Sequence, residues 1–145
     1  MSTLVSSVPG ASNMFESPTL LILGDILAIA LVTLIGFATH GETDLSFLPR
    51  MAATFFPVSA AWFLLAPWFG LFHVEITSNP RQLWRPVLVI LFAVPLAAIL
   101  RAVLLNTIVL PVFVTILGAT SALGMVIWRT LYYFFFVRPA TDKHR

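Results

Sequence analysis

The sequence predicts an all-α integral membrane bundle of four transmembrane helices, with the N- and C-termini on the same side. Three observations carry this expectation. First, 59% of the 145 residues are hydrophobic and only 10% are charged, with a mean hydropathy of +0.99. Soluble domains run nearer half apolar and a quarter charged, so too little polar surface remains to keep this chain in water. Second, the apolar residues gather into four runs of about twenty residues or more, enough at 1.5 Å per residue to cross a ~30 Å hydrocarbon core. Third, the segments between the runs are short and polar, and only Asp25, Arg101 and Arg129 place a charge inside a run.

Composition also excludes several classes. Disorder needs low hydrophobicity, and a disulfide scaffold needs cysteines, of which there are none. The net charge of +2 rests on eight basic residues scattered between apolar runs, which argues against a nucleic-acid partner.

Residues 1–17 read as a polar N-terminal tail with Pro9-Gly10 as a loop signature. No Lys or Arg precedes Arg50, and Asp25 interrupts the apolar run that follows, so a cleaved secretory signal is not expected. The first span is placed at about 18–38, with Ser17 as N-cap and Pro18 at the first helical position. Thr39 to Asp44 closes it with an acidic loop.

The second span, about 51–72, contains Pro57 and Pro67. In a membrane helix, side chains such as Thr54 or Ser59 can recapture the freed carbonyls, so kinks rather than breaks are predicted. Trp68 is placed at headgroup level. The polar stretch His73 to Arg85 leads into the third span, about 86–105, with Pro95 near its middle. Asn106-Thr107 reads as a tight connection to the fourth span, about 108–137. That run is roughly 45 Å long as a helix, so it must tilt, bend or project from the bilayer. Tyr132 to Phe136 reads as lipid-facing or interfacial packing, and residues 138–145 form a basic C-terminal tail.

Four crossings put Arg81, Arg85, Arg138, Lys143 and Arg145 on the side of both termini, against Arg50 on the other. The positive-inside rule then predicts a multi-pass protein of the cell (inner or plasma) membrane with both termini cytoplasmic.

Asp25, Arg101 and Arg129 are charges inside apolar runs, each costing at least ~2.5–3.5 kcal/mol unless partnered. Asp25 lies about 10 Å from the start of the first span and Arg129 about 12 Å from the end of the returning fourth, so the two share a level. An Asp25–Arg129 ion pair is therefore expected; snorkelling of Arg129 to the headgroups is the alternative. Arg101, near the opposite face, is expected to meet an outer polar cluster of His40, Glu42 and Asp44, or to snorkel. Helical spacing gives two matching stripes: Gly118, Ala122, Met125 and Arg129 on the fourth span, and Asp25, Ala28, Val32 and Gly36 on the first. Gly24, Ala28, Gly36, Gly118 and Ala122 are thus candidate packing residues for close helix approach.

No phosphate loop, dinucleotide fingerprint, nucleophile elbow or zinc-protease motif is present, so no catalytic residue is assigned and an enzyme is not expected. His40, His73 and His144 fall in three different polar segments, so no metal site and no cofactor are predicted.

Gly24-Asp25, His40-Gly41, Ala61-Trp62 with Ala66-Pro67, Arg81, Arg85-Pro86, Leu100-Arg101 and Trp128-Arg129 together resemble a family of small four-span bacterial and archaeal membrane proteins, the domain of unknown function numbered 3054. The resemblance covers about Leu20 to Arg129. It implies a one-domain helical bundle with Asp25, Arg101 and Arg129 as its polar signature, and no activity. With the lipid bilayer as the first partner, the expected role is a structural or accessory subunit packing against a larger membrane complex. A homodimer is the alternative partner. A small proton-coupled transporter using the Asp25/Arg129 pair is the alternative, and a pigment-associated subunit a further one.

Overall fold

The computed structural model describes residues 18–138, which form nothing but helices and their connections. The expected tails, residues 1–17 and most of 138–145, and the Ser17 cap lie outside the described residues. Helix α1 spans Pro18–Thr39. A 3₁₀ turn at Leu45–Phe47 leads into α2, Leu48–Leu65, which tightens into 3₁₀ geometry over Ala66–Phe69. The single-turn helix α3 (Val74–Thr77) and a 3₁₀ turn at Pro80–Gln82 precede α4, Trp84–Leu105. Helix α5 runs from Pro111 to Tyr132 and ends in a π-helical segment, Tyr133–Val137. Four helical stretches, Pro18–Thr39, Leu45–Phe69, Pro80–Leu105 and Pro111–Val137, are long and apolar enough to cross a membrane.

The boundaries have local causes. Pro49 and Pro111 sit in the first turns of α2 and α5, where a missing N–H costs no helical bond. Gly70 closes the second span in the left-handed region (φ +70°), which a side chain would disfavour. This ends the span three residues earlier than its apolar run suggests, because the chain turns at Gly70 while Leu71 still packs inside. Asn106, also left-handed (φ 49°), caps α4. The connection to α5 then extends through Leu110 rather than closing at Thr107.

The prolines behave unequally. Pro57 and Pro95 lie inside unbroken helices, whereas Pro67 falls in the 3₁₀ segment that terminates the span. Pro57 removes the donor for the Ala53 carbonyl. Thr54 does not recapture that group; it bonds the Arg50 carbonyl at 3.1 Å. Ser59 Oγ is buried without a protein partner.

Each long helix packs on two others: α1 on α2 and α5, and α4 on α2 and α5. The neighbours run antiparallel, since Asp25 near the start of α1 bonds Arg129 near the end of α5, and Thr54 early in α2 bonds Arg101 late in α4. The first turns of α1 and the last turns of α5 therefore share one end of the bundle. The core is built from Val58, Ala61 and Trp62 of α2 and Val89, Ile90, Ala93, Val94 and Ala97 of α4, closed by Ile29 and Met125. Alanines along α2 and α4 let those backbones approach closely, the usual device where lipid supplies no hydrophobic drive.

Candidate functional site

Leu21, Asp25 and Ile29 recur at four-residue intervals on the buried face of α1, which carries the Asp25 carboxylate into the bundle. Ser121, Met125, Arg129 and Tyr132, at intervals of four, four and three, form the buried face of α5. The two charges meet in the interior. Arg129 Nη2 donates to Asp25 Oδ2 at 2.7 Å, with the side chains 3% and 0% exposed.

Two indoles complete the site. Trp62 of α2 donates its Nε1–H to Oδ2 at 3.0 Å, and Trp128 of α5 donates to Oδ1 at 3.0 Å. One carboxylate thus gathers three donors from two helices while standing on a third. The far side of the guanidinium is used as well: Nη1 donates to the Leu71 carbonyl at 2.9 Å. That carbonyl lies in the turn after α2, where no helical donor remains for it. Arg85 secures the same turn, with Nη1 on the Phe69 carbonyl at 2.8 Å and Nε on Gln82 Oε1 at 2.7 Å.

Gly24 makes the arrangement possible. A Cβ at this position would overlap the Trp128 indole, so only glycine leaves the ring room to reach Oδ1. Charge-assisted bonds of this kind are roughly twice as strong as neutral ones, and they offset the desolvation of both ions. Tyr132, adjacent to Trp128 (ring centroids 6.0 Å apart), is almost fully buried rather than lipid-facing.

A family model described as "Protein of unknown function (DUF3054)" matches residues 22–132, a stretch that includes Asp25, Trp62, Trp128 and Arg129. The chain belongs to this family. It is a multi-pass membrane protein of four spans, and the family's description attaches no activity to it. No curated protein and no solved structure matches the chain.

The other residues singled out from the sequence of this family member divide sharply. Arg101 forms no hydrogen bond or ion pair with His40, Glu42 or Asp44, although the charges of Glu42 and Arg50 both act on it. Its Nε donates to Thr54 Oγ1 at 3.1 Å and its guanidinium lies over the Phe113 ring at 4.6 Å. Glu42 faces Arg50 instead, at 4.0 Å, so the one acid within reach of an arginine there is already engaged. Neither His40 nor Asp44 forms an ion pair among the described residues.

Of the packing residues, Gly24 touches Trp128, while Ala28 and Ala122 pack against the core. Gly118 lies near Val94, where an added Cβ would sit 3.8 Å from Cγ1. Gly36 is a correction: it is exposed, and a Cβ there would meet nothing within 4 Å. The close approach of α1 to α5 on that side uses Gly124 instead, whose added Cβ would strike Val32.

The sequence reading missed both tryptophans and the Leu71 carbonyl. Depth was the available signal, because Trp62 lies seven residues before the end of the second span at Phe69, about 10 Å in, level with Asp25. Among the described residues no group of three or more His, Asp or Glu side chains gathers to hold a metal.

Proposed function

We propose that this chain is a structural or accessory subunit that presents a rigid apolar surface to a larger membrane complex. The observation that carries this reading is the outer face of α5. Val112, Ile116, Leu123, Ile127 and Leu131 recur at helical spacing, all exposed, and Phe134 and Phe135 extend the same surface. The interior carboxylate is meanwhile occupied by the protein's own fold, with Asp25 fully buried under three donors. Function is left to the outer surface. Purification in mild detergent followed by native mass analysis tests the proposal: a stoichiometric partner is expected, and a lone monomer from freshly solubilised membranes overturns it.

A second reading, a small proton-coupled transporter, draws support from the ion pair at membrane depth, the usual mark of a proton or substrate pathway. It requires pH-dependent flux in proteoliposomes that Asp25→Asn abolishes, and wild-type vesicles without flux end it. The arginine distribution supports cytoplasmic termini, with Arg81, Arg85 and Arg138 at one end of the bundle and Arg50 near the other.

A further inference from the structure

A cavity of about 10 Å³ lies beside the buried pair, between Arg129 and the segment that joins α2 to α4. Its walls include Leu71, Thr77, Asn79, Gln82, Leu83 and Arg129. Two of the three guanidinium nitrogens are committed, Nη2 to Asp25 and Nη1 to the Leu71 carbonyl. The third, Nε, is buried with no protein partner. A buried N–H left unmade costs about 1–3 kcal/mol, more when the group is charged, so such an atom beside a space that Thr77, Asn79 and Gln82 help to line requires an acceptor.

We propose that this cavity is a binding site for a single water molecule, which accepts from Arg129 Nε–H and links the buried ion pair to the polar loop of α3. Size, charge and chemistry agree on the ligand. The volume has room for about one water molecule and is too small for a polyatomic ion. A cation is disfavoured by the guanidinium, and an anion gains little from an arginine already neutralised by Asp25 at 2.7 Å. A neutral molecule that both accepts and donates fits best. Thr77 Oγ1 can receive its proton, because that hydroxyl spends its own hydrogen on the His73 or Val74 carbonyl and keeps its lone pairs. Gln82 Oε1 accepts from Arg85 Nε and has a second lone pair to offer.

The position of the site makes access one-sided. Toward the opposite end the pair is covered by Ile29, Val58, Met125 and the alanine-lined seam of α2 and α4, which are apolar and buried. The polar route from bulk water to Asp25 therefore runs from the His73–Arg85 side, through Thr77 and Gln82 to Arg129. This holds whether the chain serves as a subunit or as a transporter, so its test is separate from both.

The measurement is NMR of ¹⁵N-arginine-labelled protein in lipid nanodiscs, reading magnetisation transfer from water to Arg129 Nε–H. The wild type is expected to show a resolved Nε–H resonance with a water cross-peak. Leu83→Phe, which fills the cavity from its wall, should lose the cross-peak while the Trp62 and Trp128 indole signals stay in place. Thr77→Ser, which keeps the hydroxyl, should retain it. A resolved wild-type resonance with no water cross-peak overturns the proposal. So does a cross-peak that survives in Leu83→Phe, or a resonance lost to fast exchange, which signals open solvent rather than one held molecule.

Discussion

The two ends of the bundle handle an intramembrane arginine in opposite ways. At the end holding the first turns of α1, Arg129 is 3% exposed, bonded to a carboxylate and a carbonyl, and flanked by two indoles that share its acid. At the other end, Arg101 is only partly buried; it bonds a threonine hydroxyl, lies over an aromatic face, and feels the charges of Glu42 and Arg50 without pairing with either. The difference follows from reach. A guanidinium near a helix end can extend toward headgroups and water, so a bonded counter-ion is not required. An aspartate has one methylene and cannot escape, so everything near it must turn inward. The short acid therefore organises the helices, and the long base adapts to them.

Removing the acid should have the largest effect. Asp25→Asn leaves a buried arginine without its counter-ion, and loss of one partner from such a pair costs about 3–5 kcal/mol. Unfolding in mixed micelles, followed by tryptophan emission, should show that loss, with Trp62 and Trp128 changing together. Arg101→Met at the other end should cost no more than about 1.5 kcal/mol, the range of a single hydrogen bond. If the two variants are equally damaging, the contrast between the ends fails.

Glycine substitutions sharpen the same contrast at intermediate size. Gly24→Val drives a side chain into the Trp128 indole, and overpacking of this kind costs about 1–3 kcal/mol. It should also detach Trp128 from Asp25, visible as a shift of one indole N–H signal but not the other. Gly36→Ala, on the same helix in open space, should be neutral or stabilise by up to about 1 kcal/mol through helix propensity. The smallest effect belongs to Glu42→Gln: an exposed pair at 4.0 Å contributes about 0–1 kcal/mol, and thermal unfolding should scarcely move.

Much of this was legible before any coordinates. Span lengths follow from apolar runs, and the level shared by Asp25 and Arg129 follows from counting residues along two antiparallel helices. The same counting applied to neutral donors points to Trp62. It was obscured because an indole in an apolar helix reads as packing or as a headgroup anchor, although a carboxylate has two oxygens and needs more than one arginine to satisfy them. Arg101 was placed at the right end by level, but only charged or titratable loop residues were considered as its partners. Thr54 stands six residues into α2 and Arg101 four before the end of α4, so the hydroxyl was the nearer partner by height. The Leu71 carbonyl could not be anticipated, because it depends on where Gly70 turns the chain. Gly36 was misjudged because spacing along α1 cannot say where α5 diverges from it.

The central claim is that one buried carboxylate, paired with Arg129 and bonded by Trp62 and Trp128, fixes three helices, and a double-mutant cycle between Asp25 and Arg129 tests its central bond most directly. Asp25→Leu and Arg129→Met should each destabilise strongly in micelle unfolding. The double variant should recover much of the loss, giving a coupling above about 1.5 kcal/mol, because no charge is left stranded in the interior. Costs that simply add, with coupling within about 0.5 kcal/mol of zero, would mean that the two side chains act independently.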